Sequence, residues 1–396
     1  MNWTTLEEVS TLISKGTTPT TLGCSFVPQG IPFLRAEDVM GTAINPKAVA
    51  YYISPETDKI LSRSRLQPGD LLITIAGTLG RVGYVPMNAP PLNCNQAVAF
   101  VRLDPQMIDL FYAGFACQAQ IADLLTLRKI GTIGNLNLEQ IRQFKIPFPP
   151  LREQQRIAER LEQADRLRRT RRYALELTDT FLPAAFLELF GDQNPAASSW
   201  PTAPLGDHIE AIEGGVNFNP VGENDPASDW RVLKVSAVSW SDFLAEESKP
   251  ISPTESFSEK LIVQRGDLIM SRANTVELVG AVARVRTPPP KVLLPDKLWR
   301  LKLRTKSLLP DYLLYALRGR VVRREIEIRA SGTSGSMKNI SKEDVRDLRL
   351  PVPPLPLQQK FAALVERVER LRAVQREALR QAEHLFASLL HRAFSG

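Results

Sequence analysis

One block of text occurs twice in this chain and limits what it can fold into more than any other feature. PFPPLREQQRIAERLEQADRLR, residues 147–168, returns as PVPPLPLQQKFAALVERVERLR, residues 351–372. In both, a proline cluster that forbids regular structure runs straight into a long charged segment that favours helix. The text before each block repeats as well, at an offset that drifts from 197 to 204 residues. Leu6-Glu7-Glu8 with Ile13 and Gly16 answers Leu205-Gly206-Asp207 with Ile212 and Gly215, and Phe33-Leu34-Arg35 answers Val232-Leu233-Lys234. Residues 67–73, QPGDLLI, answer 264–270, QRGDLIM, and residues 128–134, RKIGTIG, answer 329–335, RASGTSG. The order is the same in both halves. The chain is therefore a tandem of one unit, a globular part of about 150 residues followed by a helix of about 40.

Inside each globular part the pattern is mixed. Gly-Asp turns feed short apolar runs at Leu71–Ile75 and Leu268–Ser271, with Val82–Val85 and Val279–Val282 expected as the returning strands. Asp109–Leu127 and Pro310–Arg329 carry apolar residues at helical spacing. Strands with helices grouped late predict an α+β fold: two globular α/β domains in tandem, joined by two long antiparallel coiled-coil helices. The expected divisions are a first domain at 1–149, a spacer helix at 150–192, a linker at 193–204, a second domain at 205–353 and a second spacer helix at 354–396.

In the second helix Phe361, Leu364, Val368, Leu371, Gln375, Ala378, Ala382, Leu385 and Leu389 recur at alternating three- and four-residue steps, a coiled-coil seam. Its counterpart in the first runs through Ile157, Arg160, Ala164, Leu167, Arg171, Ala174, Thr178, Phe181 and Ala185. At ~1.5 Å per residue each rod is about 60 Å long. That is too long for one small domain to cover, so the helices are expected to pack on one another. Pro183 is expected to kink or end the first helix. The proline clusters act as stiff joints that set each rod's direction, which a Gly-Ser linker could not do.

Composition excludes more than it assigns. Windows of about twenty residues are all broken by charge or proline, so no membrane span is expected and the default compartment is the cytoplasm. Cys24, Cys94 and Cys117 are too far apart for a zinc knuckle, and the only histidines are His208, His384 and His391. There is no Gly-Lys-Ser/Thr phosphate loop. Gly77-Thr78-Leu79-Gly80-Arg81-Val82-Gly83 lacks the cofactor-loop spacing, and the aligned Asn274–Gly280 does not keep the glycines. Glu247-Ser248-Lys249 has nuclease-like spacing without the upstream Pro-Asp, and Asn88-Ala89-Pro90-Pro91-Leu92 lacks the aromatic residue of a base-gripping motif. Net charge is +7, and Lys291–Arg349 holds 15 Lys/Arg against 7 Asp/Glu, which suits a polyanion.

Two variable halves, each closed by a Gly-Thr loop and by the text Ile146-Pro147-Phe148-Pro149-Pro150-Leu151-Arg152-Glu153-Gln154-Gln155-Arg156-Ile157, resemble the specificity subunit of type I restriction-modification systems over the whole chain. The second copy departs at Pro356-Leu357, where the family has an acidic residue before glutamine, so a different capping of its first helical turn is expected. The resemblance implies a non-catalytic subunit in which each globular part is a target recognition domain reading one half of a split double-stranded DNA site. It implies two modification subunits and the restriction, or translocase, subunits as partners. It places S-adenosylmethionine, ATP and Mg²⁺ on those partners and no cofactor or metal on this chain. An enzyme with an unrecognised methyltransferase or nuclease site, and a coiled-coil scaffold that ignores DNA, are the alternatives.

DNA binding needs Lys/Arg for phosphates and a few polar groups for base edges. Candidates in loop contexts are Arg35, Arg81, Arg128, Lys129, Lys234, Arg265, Arg272, Lys297, Arg320, Arg324, Arg329 and Lys338, while Thr132 and Thr333 in the repeated Gly-Thr loops are expected to fix the loop against the helix entry more than to touch phosphate. Helix packing is assigned to Ile157, Ala164, Leu167, Phe361, Leu364, Val368, Leu371 and Leu385. Arg166, Arg168, Arg169, Arg171 and Arg172 read as a salt-bridged helix face.

Overall fold

The computed structural model describes residues 2–40, 43–128, 135–218, 221, 229–239, 243–252, 256–304, 307–334 and 337–394. Two compact units divide the chain: Met1–Tyr173 with Arg376–Gly396, and Ala174–Gln375. The first holds, in chain order, β1 (Trp3–Thr5), β2 (Ser10–Lys15), β3 (Ile31–Leu34), β4 (Tyr52–Ile53), α1 (Pro55–Ile60), β5 (Arg65–Leu66), β6 (Leu71–Thr74), β7 (Val82–Tyr84), β8 (Leu92–Cys94), β9 (Val98–Leu103), α2 (Leu110–Arg128), α3 (Leu138–Arg142), β10 (Lys145–Pro147) and the start of α4 (Leu151–Phe190). The second continues with β11 (Thr202–Pro204), β12 (Ile209–Gly214), β13 (Arg231–Leu233), β14 (Ser248–Pro250), β15 (Leu268–Ser271), β16 (Ala273–Asn274), β17 (Val282–Arg284), β18 (Val292–Leu293), β19 (Leu298–Leu303), α5 (Pro310–Arg318), α6 (Arg320–Arg329), β20 (Ser331–Ser334), β21 (Met337–Asn339), α7 (Lys342–Arg346) and β22 (Arg349–Pro351). Then comes α8 (Leu355–Phe394), whose last turns belong to the first unit.

The fold is α+β, and the two heads share one topology. Antiparallel sheets β2-β9-β6-β7 and β12-β19-β15-β17 are equivalent strand for strand. Beside them lie β4-β3-β8-β5 and β14-β13-β18, in which β3/β8 and β13/β18 pair parallel. The central strands are buried on both faces, which is why Leu71-Leu72-Ile73 and Leu268-Ile269-Met270 read as unbroken apolar runs. A two-stranded ribbon ties each head's first strand to its proline joint, Trp3 opposite Pro147 and Thr202 opposite Pro351.

Each joint is locked by a glutamine of the repeated block. Gln154 and Gln358 are both 0% exposed. The Gln154 side chain accepts from the Asp109 N–H at 2.9 Å and donates to the carbonyls of Met107 at 3.2 Å and Pro149 at 2.9 Å. Gln358 does the same with Leu309 N–H at 2.8 Å, Ser307 at 3.1 Å and Pro353 at 2.8 Å. The hydroxyls of Tyr112 and Tyr312 donate to Pro147 and Pro351. One amide thus joins head, proline cluster and rod, satisfying backbone groups that regular structure leaves unpaired there. The helix start is the same in both copies despite Pro356: Glu153 and Gln154 N–H bond to Pro150 O, and Leu357 and Gln358 N–H bond to Pro354 O. Proline in the first turn removes an N–H that has no intrahelical partner anyway, so the different capping expected of the second copy does not arise.

Four expectations need correction. The returning strand of the second head is β17 at Val282–Arg284, three residues later than the aligned text suggested, so the glycine equivalent to Gly80 is Gly280. Both have positive φ, 82° and 75°, and both donate to the end of the central strand, at Thr74 and Ser271. The helical stretch 310–329 is two helices, because Gly319 adopts ψ 141° and breaks it. Helix α4 runs unbroken through Pro183 to Phe190, its last turns held by the buried Leu182, Phe186 and Phe190. Finally, the buried stripe of α8 follows Phe361, Val365, Val368, Arg372, Ala382 and Phe386, one position round from the expected seam at alternate steps. Leu167, Leu371 and Leu385 are 41%, 51% and 45% exposed, whereas Ala164, Phe361 and Val368 are buried and Ile157 and Leu364 pack against the cores.

In each unit the two helices run antiparallel. Arg168 stacks 4.0 Å from the Phe386 ring while Arg172 pairs with Glu383 at 2.7 Å; in the second unit Arg372 pairs with Asp179 at 2.5 Å and Phe361 meets Phe186 at 5.3 Å. Each head's core is finished by the end of the other rod. Phe386 and Phe394 pack on Phe115 and Tyr112, and Phe186 and Phe190 pack on Tyr315 and Tyr312. No helix of the described residues is long and apolar enough to cross a membrane.

A Cβ at Gly280 would stand 2.5 Å from Ile326 Cγ2, in addition to the strain of its φ. Gly280→Ala should therefore destabilise the second unit by about 2–4 kcal/mol in denaturant titration. Gly266, with φ 94° and open space around its Cβ position, should lose only about 1 kcal/mol on the same change.

Candidate nucleic-acid interface

The two heads build one backbone frame at the end of the central strand and hang different side chains on it. In the first, Ile75 N–H donates to Ala97 O at 2.8 Å and Leu136 N–H donates to Ile75 O at 3.1 Å. In the second, Arg272 N–H donates to Lys297 O and Ile340 N–H to Arg272 O, both at 3.0 Å. Gly16 and Gly215 close the frame: a Cβ would lie 2.1 Å from Cys94 O and Leu294 O, respectively. Only glycine fits so close an approach. At matching points stand Ile75 and Arg272, Ala97 and Lys297, and Gln96 and Asp296.

The longer turn of the second head adds β16, which pairs with β21, itself paired to β20. Ala273 lies opposite Asn339 and Asn274 opposite Lys338. This small sheet and the Arg272–Lys297 backbone bond bring Arg272, Lys297 and Lys338 to one rim with Asn339, while the Asn274 amide is engaged with Ser271 Oγ and the Thr275 N–H. Lys338 Nζ donates to Gly332 O at 2.8 Å. On α6, Arg320 and Arg324 are exposed and Arg329 pairs with Glu325 at 2.7 Å. Arg323, on the same helix, donates to Val279 O at 2.6 Å and Val276 O at 2.9 Å and so shapes the turn itself.

The remaining candidates are not gathered at this rim. Arg35 and Lys234 occupy equivalent positions ahead of short 3₁₀ turns. Arg35 pairs with Glu37 at 3.1 Å and lies 4.8 Å from the Tyr51 ring, and Lys234 lies 3.5 Å from Glu247. The Ser236 hydroxyl and Lys234 hold the Glu247 carboxyl below its usual range. Arg81 reaches Val39 O at 3.5 Å and Met40 Sδ at 3.4 Å. Arg265 is exposed in the turn before β15. Lys129, Thr132 and the side chains of Arg128 and Thr333 lie outside the described residues. Among the described residues no group of three or more His, Cys, Asp or Glu is placed to hold a metal.

Residues 1–177 match the family described as the type I restriction modification DNA specificity domain. Over nearly the full length the chain is 24% identical to the EcoKI specificity subunit of Escherichia coli K12, across 393 residues that cover 92% of this chain and 82% of that subunit. The chain is thus similar over nearly its whole length to type I specificity subunits, and its first 177 residues match the DNA specificity domain of such systems. A second relative, the EcoEI specificity subunit of Escherichia coli, is 27% identical over 168 residues, 42% of this chain and only 28% of that subunit. Among solved structures, the S subunit of the type I system of M. genitalium shares the fold with a TM-score of 0.59 at 14% identity, covering 100% of this chain and 96% of that one. A chain from a study of complex assembly in the type I R-M system gives 0.52 at 18% identity, covering 99% and 97%. The residues that lock the duplicated joint, Gln154, Gln358, Tyr112 and Tyr312, were visible in the sequence only as recurring letters.

Proposed function

We propose that this chain is the DNA-reading subunit of a type I restriction-modification assembly, each head reading one half of a bipartite target. The observation that carries the reading is the shared frame with exchanged side chains: one scaffold, used twice, with Ile75, Gln96 and Ala97 on one copy and Arg272, Asp296 and Lys297 on the other. A tandem of identical readers would suit a symmetric site, whereas this one suits two different half-sites. In this reading the heads are target recognition domains, and the helices set the spacing between half-sites and dock the modification subunits. The chain itself is non-catalytic and works in the cytoplasm. S-adenosylmethionine, ATP and Mg²⁺ act on the partner subunits, and the exposed Leu167, Leu371 and Leu385 give the rods an apolar face for docking.

The test is the spacing. Removing one heptad from each rod shortens it by about 10 Å, or about three base pairs of duplex. Adenine methylation mapped with the assembled complex should move to targets whose half-sites lie about three base pairs closer, with both half-site sequences kept. Unchanged spacing refutes the ruler, and methyl transfer by the purified chain alone refutes a non-catalytic subunit.

A further inference from the structure

A shallow cleft opens in the first unit where head meets rod. Leu71, Val82, Tyr84, Phe111 and Phe115 wall one side, and Glu162 of α4 stands opposite. Its floor is Gly114, a glycine inside a helix, where an added Cβ would lie 3.3 Å from Leu71 Cδ1. Asp165 in the same wall is already paired, with Arg168 at 2.6 Å and Arg169 at 2.8 Å. Glu162 has no ion pair within 4 Å among the described residues, and burial, followed by Asp109, pushes its carboxyl above the usual range.

The second unit shows what this place accepts. Tyr112 and Tyr312 are equivalent through their bonds to the joint, which matches Gly114 with Leu314, Gln118 with Arg318 and the Tyr84–Phe111 pair with Arg284 and Asp311. There the chain fills the space itself. Leu314 is buried, Arg318 donates to Val282 O at 3.2 Å and lies 5.6 Å from the Tyr315 ring, and Arg284 and Arg286 both pair with Asp311. Where the second unit has three arginines, the first has Tyr84, Pro86 and Gln118, with aromatic faces and with Glu162, near Arg166 and Arg169 but in no ion pair with either among the described residues, while Arg169 on the cleft wall is paired to Asp165.

We propose that the cleft of the first unit is a docking socket for an arginine side chain presented by a partner protein, its stem on Tyr84, Phe111 and Phe115 and its guanidinium at Glu162. Aromatic walls favour a cation with an apolar stem, and arginine is the cation that combines stacking with a carboxylate pair. The partner's identity rests on the reading of this chain as a subunit of a larger assembly, while the socket's chemistry does not. Reactivity of a single cysteine tests both. In a Cys24→Ser background, Gln118→Cys on the cleft wall should react with aminoethyl methanethiosulfonate about tenfold faster than with its sulfonatoethyl counterpart, relative to an exposed Gln155→Cys control. Glu162→Gln should abolish that preference. In the purified assembly Gln118→Cys should be shielded from both reagents, and Glu162→Arg should restore its labelling. No preference for the cation overturns the socket. A preference with full labelling in the assembly overturns the partner's arginine as occupant. A chain that assembles with no partner overturns the functional reading and the docking with it, while the rates on the free chain still decide the socket.

Discussion

Replacing Gln154 with leucine should destabilise the first unit by about 2–4 kcal/mol, because three part-buried backbone groups lose the same side-chain partner at once. Leucine fills nearly the same volume, so the loss is one of hydrogen bonds and not of packing. The Asp109 N–H precedes the first turn of α2, Met107 O lies in the loop before it, and Pro149 O lies in the joint. Each unpaired group costs about 1–3 kcal/mol when water cannot reach it. Gln155→Ala, at the exposed neighbour, should change stability by less than about 0.5 kcal/mol. The measurement is a denaturant titration in which the first unit's transition moves and the second's does not. Gln358→Leu should reverse that pattern. Equal and small effects at Gln154 and Gln155 would mean that the joint is held by the prolines alone.

The second large effect is expected from Arg272→Ile combined with Lys297→Ala, which gives the second head the side chains of the first. Both residues hold the frame through backbone atoms, and the first head already carries isoleucine and alanine on the same frame, so the fold should survive. A good contact to a base edge contributes about 1–3 kcal/mol, so affinity should fall about 30-fold or more. The slope of log affinity on log salt should shrink by about one for each phosphate contact removed. Methylation maps should show relaxed choice at one half-site and an unchanged sequence at the other. A change of less than about twofold in affinity, or altered choice at both half-sites, would remove these residues from base reading.

The duplication was legible because joints, turns and central strands repeat nearly letter for letter. What escaped the sequence escaped for physical reasons. The three residues inserted between β15 and β17 leave both flanks similar, so the aligned glycines slipped, and only the hydrogen bonds from Gly80 and Gly280 restore the register. The seam of α8 was ambiguous because leucines occupy one alternative, at 364, 371 and 385, while the buried stripe takes Val365, Arg372 and Phe386. An arginine does not look like a seam residue until its stem is seen packed and its guanidinium placed between Asp179 and Glu369. Of the site, the equivalence of Arg35 and Lys234 was readable. The meeting of Arg272, Lys297 and Lys338 was not, because it depends on β16, which has no counterpart among the described residues of the first copy.

The crossed completion of the two cores bears on the order in which the protein can be made. As the chain leaves the ribosome, the second head meets its finishing turns, Leu182–Phe190, already synthesised ahead of it. The first head must wait for Phe386 and Phe394, with the faces of Tyr112 and Phe115 uncovered until α8 has been made. A nonsense mutation at the codon of Leu385 would therefore injure the first head and spare the second, made after it.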